Sequence, residues 1–190
     1  MIMEKKHQVH NLIILDESGS MESIKEPIIS GFNELVQSIK GIEKQFPEQE
    51  HFITFVTFNS AGRKVIHFMD PVARLKKISG STYKPNEMTP LFDAMGNSIT
   101  SLRQALEKQT DYNVLVTVLT DGLENASKEY TGNSIKKLVE EMKMSGWTFT
   151  YIGTDHDVET IASISITNVM YFKKDSGGVR DMFEKERHAR

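Results

Sequence analysis

Two aspartates in this sequence each follow directly on a run of apolar residues, a position that suits ligand binding. Asp16 comes after the run that ends at Leu15, and Asp121 comes after the run that ends at Thr120. Open α/β sheets bind ligands at the carboxyl ends of their strands. Two carboxylates held close together repel each other, so either one takes a proton or a cation lies between them. The pair therefore marks a candidate site either for a shared proton or for a bound cation.

Hydroxyl groups close to Asp16 favour the cation. Ser18 and Ser20 follow it by two and four residues, in a loop where Gly19 allows a tight bend. Carboxylate and hydroxyl oxygens, with no histidine or thiol beside them, suit a hard ion such as Mg²⁺. Because Mg²⁺ takes only one or two carboxylates from a protein and keeps several waters, such a site has room for a ligand from outside.

The elements that must hold these groups follow from the hydrophobic pattern. Runs of apolar and β-branched residues predict six strands, at residues 9–15, 51–58, 64–69, 113–120, 147–152 and 169–172. A turn sequence at residues 59–62 predicts that the second and third strands form a hairpin. Apolar stripes at helical spacing predict helices at residues 28–39, 92–106 and 135–142, with further helices at 158–163 and from about 178 onward.

Strands that alternate with helices predict a mostly parallel sheet with helices on both faces. The predicted fold class is a Rossmann-like, doubly wound three-layer α/β/α sandwich with six strands, of which the hairpin strand is antiparallel at an edge. We expect a single domain over residues 1–190, with its core at about residues 10–172 and a charged segment at residues 173–190. If the strand order is doubly wound, the first and fourth strands are neighbours, and Asp16 and Asp121 face each other across a crevice.

Composition narrows the class of function. The 190 residues are 38% hydrophobic and 26% charged, as in an ordinary soluble protein. A net charge of −3 gives no reason to expect nucleic acid, which binds a basic face. The chain has no cysteine, so disulfide and thiol chemistry are excluded. Its apolar runs are too short for a membrane span or a secretion signal, so we expect a cytoplasmic protein, although a chain trimmed of its signal would look the same.

Three separated motifs resemble the metal-ion-dependent adhesion site of von Willebrand factor A (VWA) domains. They are Asp16-x-Ser18-x-Ser20, the threonine of Thr89-Pro90-Leu91-Phe92-Asp93-Ala94, and Thr120-Asp121-Gly122. The first motif alone would be weak evidence, but three pieces in the right order, each at a strand end or a helix start, are a specific signal. The resemblance covers about residues 10–172 and is to the bacterial members that stand alone inside the cell.

The resemblance implies a role for five residues. Ser18 and Ser20 would coordinate a Mg²⁺ ion directly, with Mn²⁺ or another divalent cation as the alternative. Thr89 would bind the ion directly or through water, while Asp16 and Asp121 would hold it mainly through water. The remaining coordination position would take a Glu or Asp carboxylate of a partner protein. With both aspartates outside the inner shell, the ion keeps more net positive charge and attracts that carboxylate more strongly.

The sequence around these motifs departs from the family pattern before Thr89. Glu87 and Met88 stand where many relatives have glycines, so Glu87 is either an extra acidic group near the ion or a solvated loop residue. Glu17, at an unspecified position of the first motif, is predicted to point to water. Met21 and Met88 flank the predicted ion and are interpreted as adaptable apolar contacts for a partner.

Each of these residues also has a structural interpretation. Asp16 and Asp121 would then form turns or caps after a strand. Thr89 would cap the helix that follows it, a role that is compatible with binding the ion. Asp93 is interpreted as structural, since a negative charge in the first turn of a helix is favoured by the helix dipole. Asn125 is interpreted as a turn-stabilising residue.

Binding, and not catalysis, is the function that these residues predict. The motifs carry no histidine, lysine or cysteine to act as a base or nucleophile. The alternative is a Mg²⁺-dependent phosphohydrolase that resembles the haloacid dehalogenases, but those enzymes have a second aspartate where this chain has Ser18. The cluster at residues 155–157 is interpreted as a solvated loop, not as a second metal site. The partner, the resident ion and the oligomeric state stay open.

Overall fold

The structure is a computed structural model that describes residues 6–154 and 158–189. Its strands are β1 (His7–Asp16), β2 (Gln49–Asn59), β3 (Gly62–Pro71), β4 (Tyr112–Leu119), β5 (Trp147–Gly153) and β6 (Asn168–Tyr171). Its helices are α1 (Lys25–Gln45), α2 (Leu91–Leu106), α3 (Gly132–Met144), α4 (Val158–Ser163) and α5 (Ser176–Ala189). Short 3₁₀ turns at Gly19–Ile24 and Val72–Arg74 precede α1 and follow β3. Every strand and helix that the hydrophobic pattern predicts is present.

The six strands form one sheet in the order β3-β2-β1-β4-β5-β6. All neighbouring pairs are parallel except β2 and β3, which form the predicted antiparallel hairpin at one edge. The predicted fold class is therefore confirmed. Since β1 and β4 are neighbours, with Leu15 beside Leu119, the chain leaves both strands at the same edge of the sheet.

Two hydrophobic cores cover the two faces of the sheet. Leu12 and Ile14 of β1 point to the core beneath α2 and α3, and Ile13 and Leu15 point to the core beneath α1 and α5. Alternation along a strand sends successive side chains to opposite faces, so a central strand that is buried on both sides must be apolar throughout. This explains why the first and fourth strands read as almost continuous apolar runs.

Helix α5 belongs to the core, beyond the boundary expected at about residue 172. Its Val179, Met182 and Phe183 are buried in the core on the α1 side of the sheet, called the α1 core below. At Gly31 of α1, an added Cβ would lie 2.0 Å from Cδ2 of the Phe183 ring, so the two helices touch where only glycine fits. The charged C-terminal segment is thus amphipathic, with one face packed on α1.

Proline and glycine lie near the ends of two helices. Helix α1 begins at Lys25 and carries Pro27 in its first turn, where a missing N–H costs no hydrogen bond within the helix. Helix α3 ends at Met144, and Gly146 beyond it has a positive φ of 85°, as expected for a helix stop. Among the described helices, none has the length and apolar composition that a membrane span requires.

Candidate metal centre

Asp16 ends β1 with a completely buried side chain whose two oxygens are both hydrogen-bonded. Its Oδ1 accepts a hydrogen bond from the Ser18 backbone N–H at 2.7 Å, and its Oδ2 accepts one from Thr120 Oγ1 at 2.6 Å. The Tyr83 hydroxyl donates to the Asp16 carbonyl at 2.7 Å. The carboxylate is therefore fixed in one orientation by the loops after β1 and β4.

Asp121, just beyond β4, also has a side chain without exposed surface. Its Oδ1 accepts a hydrogen bond from Ser20 Oγ at 2.6 Å, and Ser20 Oγ lies 3.2 Å from Ser18 Oγ. Its Oδ2 lies 2.5 Å from Nζ of Lys174, an ion pair with the turn between β6 and α5. The first and third motifs thus meet, and the structure adds a lysine that the motif pattern does not contain.

Thr89 is brought to the same place by the segment that follows Asp121. The Thr89 N–H donates to Asn125 Oδ1 at 2.9 Å, and the Asn125 N–H donates to the Thr89 carbonyl at 3.1 Å. The start of α2 does not depend on Thr89 as a cap, because the Phe92 N–H donates to Glu124 Oε2 at 2.9 Å. Asn125 is therefore structural, but it joins two loops of the site and does not act within a local turn as predicted.

Oxygens of the first two motifs converge on a point beside Gly122 of the third motif. A Cβ added to this glycine would lie 3.1 Å from Thr89 Oγ1, 3.5 Å from Ser20 Oγ and 3.6 Å from Asp16 Oδ2. Two chain segments, the first motif and the loop that carries Thr89, therefore place candidate ligands around a space that any side chain at residue 122 would fill. All these donors are oxygen atoms, the ligands that a hard divalent cation prefers. The residues present fit such an ion.

The electrostatics of the site also favour a cation. The pKa of Asp16 is raised from 3.8 to about 6, mainly by burial and in smaller part by the neighbouring Asp121, while hydrogen bonds from Thr120 and Ser18 act to lower it. Burial, followed by the nearby Asp16, also raises the pKa of Tyr83, so its hydroxyl stays protonated and donates. Two buried carboxylates side by side carry an electrostatic cost that a bound cation would offset.

Glu17 does not point to water, so that prediction was wrong. Its side chain is completely buried, and its Oε1 accepts hydrogen bonds from Lys64 Nζ at 2.8 Å and from the Lys84 N–H at 2.6 Å. The Glu17 carbonyl also accepts from the Asn86 N–H at 2.9 Å. Glu17 therefore holds the loop that leads to Thr89 against the first motif. Its partners lie far away in the chain, so no local pattern could identify this role.

The loop before Thr89 adopts a conformation that glycine usually provides. Glu87 has a positive φ of 68°, and its carbonyl accepts the Gly19 N–H at 3.0 Å. Met88 beside it is half exposed, whereas Met21 has no exposed surface. The interpretation of Met21 as a partner contact was therefore wrong, because it packs in the α1 core.

Asp93 is structural, but it acts through hydrogen bonds to another loop and not only through the helix dipole. Its carboxylate accepts hydrogen bonds from three successive backbone N–H groups, those of Lys128, Glu129 and Tyr130, at 2.8, 2.9 and 2.8 Å. It therefore anchors the loop after β4 to α2. The cluster at residues 155–157 lies outside the described residues. Across the described residues, no three His, Cys, Asp or Glu side chains come together as a metal site.

Comparison with known proteins identifies the fold. A family model described as the von Willebrand factor type A domain matches residues 12–185. Among solved structures, the vWF domain of the type V pili tip protein Mfa5 from Porphyromonas gingivalis is 12% identical, with a TM-score of 0.64 over 97% of this chain and 95% of that one. No curated protein sequence matches the chain at a significant level.

Two further solved structures are larger than this chain. The PilB minor pilin from Streptococcus sanguinis is 13% identical, with a TM-score of 0.67 over 98% of this chain and 62% of that one. The pilus adhesin SpaC from Lactobacillus rhamnosus GG, in its open conformation, is 13% identical, with a TM-score of 0.70 over 98% of this chain and 30% of that one. This chain thus spans less than two thirds of either protein, and the likeness shows a common fold. With the family model matched over nearly all of its length, the chain belongs to the von Willebrand factor type A domain family.

Proposed function

We propose that this domain binds a divalent cation, Mg²⁺ in the first instance, and through it an acidic side chain of a partner protein. The observation that carries the proposal is the convergence of Thr89, Ser20 and Asp16 oxygens on the open space beside Gly122. VWA domains commonly mediate adhesion between proteins, and the similar structures include a pilus adhesin and a pili tip protein. An ion bound in this space would present positive charge to which a carboxylate of another protein could bind.

The hydrogen bonds at the site support a division of roles among its residues. Both oxygens of Asp16 already accept hydrogen bonds from the protein, which suits a carboxylate that holds the ion through water. The hydroxyls of Ser18 and Ser20 would coordinate the ion directly, and that of Thr89 would do so directly or through water. Asp121 would act from outside the inner shell, oriented by Ser20. Two anionic groups that contribute charge without direct coordination leave the ion more attractive to an incoming carboxylate.

The surface beside the site supports a protein as the partner. Met88 and Leu123, which flank Thr89 and Gly122 in the chain, are about half exposed. Next to them lies an open groove of about 470 Å³, lined by Met88, Pro90 and Asn125 together with Arg63 of β3. Exposed apolar side chains around a polar centre are typical of interaction surfaces. We infer that the partner presents its acidic residue beside an apolar side chain.

The phosphohydrolase alternative finds no support at the site. A nucleophilic aspartate must present a free oxygen to its substrate, whereas Asp16 is completely buried and both of its oxygens are engaged. Lys174, which the motifs did not reveal, lies against Asp121 and not against Asp16. The binding function therefore predicts that the protein shows no turnover of a generic phosphate ester in the presence of Mg²⁺.

The first test is a calorimetric titration of Mg²⁺ into metal-free protein. We expect saturable one-to-one binding and a rise in melting temperature, because an ion that binds only the folded state stabilises it. The Asp121→Asn variant should lose this binding, and Asp181→Asn, the same substitution at an exposed position of α5, should retain it. Absence of binding of both Mg²⁺ and Mn²⁺ by the wild type would contradict the proposal.

The carboxylate step is tested in the same preparation after loading with Mn²⁺. Displacement of a bound water by acetate, or by a short glutamate-containing peptide, lowers the water-proton relaxation caused by the ion. We expect a saturable decrease with the peptide and none with its glutamine counterpart. Equal responses to the two peptides would show that the ion binds without recruiting an acidic group.

A further inference from the structure

Lys174 makes a contact with the candidate metal centre that the family motifs do not include. Its Nζ lies 2.5 Å from Asp121 Oδ2, and while the Asp121 side chain has no exposed surface, that of Lys174 is 37% exposed. The lysine thus covers the outer side of the buried carboxylate. Since Ser20 Oγ occupies the other Asp121 oxygen, the whole carboxylate is engaged.

The turn that carries Lys174 is tightly built. The Asp175 N–H donates to the Lys173 carbonyl at 2.8 Å, and the Gly178 N–H donates to Asp175 Oδ1 at 2.7 Å. An added Cβ at Gly178 would lie 2.2 Å from the Lys173 carbonyl oxygen, so glycine is required for the backbone to close here. The backbone at Lys174 is therefore held in place, and its side chain reaches Asp121 from a fixed position.

The positive charge of Lys174 can neutralise the Asp121 carboxylate, as a divalent cation could. Asp121 lies beside Asp16, and a buried carboxylate beside another requires a positive counter-charge. An ammonium group supplies one positive charge and a divalent cation supplies two. The two cannot both approach Asp121 closely without repelling each other, and that repulsion is strong where little water intervenes.

We propose that Lys174 is an internal competitor of the divalent cation, and that the ammonium and the ion alternate as the counter-charge of Asp121. The inference rests on the proposed function, since it assumes that the ion binds beside Gly122. The long, flexible lysine side chain lies at the surface, so it can move to solvent without unfolding its turn. Lys174 thus reduces metal affinity and keeps the metal-free site neutralised. On metal loading it becomes a free cation at the rim, where an acidic partner would meet it.

The main test compares the Mg²⁺ affinity of three proteins by calorimetry. Lys174→Gln should bind Mg²⁺ about tenfold more tightly than the wild type, because the ion no longer has to displace an ammonium group. Lys173→Gln makes the same change of charge at the adjacent exposed position and should stay within about twofold of the wild type. Equal shifts in both variants would indicate a general effect of charge and would overturn the proposal.

A second readout needs no variant. Brief acetylation of the wild type with dilute acetic anhydride, followed by mass spectrometry, reports how accessible each lysine amine is. Mg²⁺ should increase the labelling of Lys174 and leave Lys173 unchanged as the internal reference. If Mg²⁺ leaves the labelling of Lys174 unchanged or lowers it, the ammonium stays on Asp121 and the proposal is wrong.

These outcomes distinguish a failure of the inference about Lys174 from a failure of the proposed metal-binding function. If the wild type binds Mg²⁺ but Lys174→Gln binds no more tightly, the metal site stands and competition by Lys174 is rejected. Binding by Lys174→Gln alone would support competition by Lys174, whereas the wild type would then lack the ion binding that the proposed function requires. No binding in any of the three proteins would overturn both. Should Lys174→Gln fail to fold because Asp121 loses its partner, the labelling of the wild type decides.

Discussion

At the scale of single residues, Gly122 gives a direct way to close the candidate metal centre without removing a ligand. A Cβ there would lie 3.1 Å from Thr89 Oγ1, closer than ordinary van der Waals contact, in the space on which the oxygens converge. We expect Gly122→Ala to weaken Mg²⁺ binding by about tenfold or more, while the melting temperature of the metal-free protein changes little. Calorimetry and thermal melts measure the two quantities.

Gly19 provides the matched control for Gly122. It lies inside the first motif, but a Cβ there would meet its nearest neighbour, the Glu87 carbonyl oxygen, at 3.6 Å, an ordinary contact. Gly19→Ala should therefore retain most of the Mg²⁺ affinity. If Gly122→Ala binds Mg²⁺ as tightly as the wild type, the ion does not lie in the space beside Gly122.

Sequence reasoning predicted the five candidate ligands, but it did not identify the contacts that Glu17 and Lys174 make beside them. The ligands stand in short motifs at strand ends, where residue type and spacing carry the chemistry. Glu17 and Lys174 act through partners from distant segments, Lys64 and Lys84 for the first and Asp121 for the second. Nothing near either residue signals such a contact, because it exists only after the loops have folded against each other.

At the scale of elements, the contact between α1 and α5 sets how closely the C-terminal helix approaches the sheet. Gly31 leaves room for the Phe183 ring, which an added Cβ would overlap at 2.0 Å. We expect Gly31→Ala to lower the free energy of unfolding by about 1–3 kcal/mol, the usual range for overpacking a tight core. Urea denaturation of the metal-free protein measures it.

Gly41 supplies the control within the same helix. A Cβ at this position would meet nothing within 4 Å. Gly41→Ala should therefore raise the free energy of unfolding by about 0.5–1 kcal/mol, because alanine loses less backbone entropy in a helix than glycine does. If the two substitutions change stability equally, the contact between Gly31 and Phe183 does not restrain α5.

The strands and helices themselves were largely predictable, since each depends on a repeat of apolar residues within its own segment. Strands of β-branched residues and helices with apolar stripes were found, although their ends extend by a few residues. The role of α5 was not predicted, because charged residues dominate its composition and its buried apolar residues are few, namely Val179, Met182 and Phe183. Its place on α1 depends on a glycine in another helix, which no reading of residues 173–190 alone could reveal.

At the scale of the whole molecule, His10 makes stability depend on pH. It is buried in β1, with its ring stacked on Phe52 at a centroid distance of 5.0 Å, and burial lowers its pKa from 6.5 to about 4. Above pH 6.5 the ring is neutral in both the folded and the unfolded state. As pH falls from 6.5 toward 4, only the unfolded state gains the proton, so the free energy of unfolding decreases.

Comparison with His10→Phe isolates this effect. Phenylalanine keeps a stacked ring and cannot take a proton, so the difference in free energy of unfolding between variant and wild type should grow by about 1–2 kcal/mol between pH 6.5 and 4, with partial solvation allowed for. Urea denaturation series at several pH values measure it. Parallel pH profiles for the two proteins would show that the ring of His10 takes up its proton equally well in the folded state.

The central position of β1 has a mechanical consequence. This strand is paired in parallel along its length with β2 and over most of its length with β4, and it ends at Asp16 in the candidate metal centre. A pull between a partner held at that end and the N-terminal end of β1 would act along the strand. It would have to shear both hydrogen-bond ladders at once, and could not open them one bond at a time. The fold is therefore suited to carry tension along the middle of its sheet.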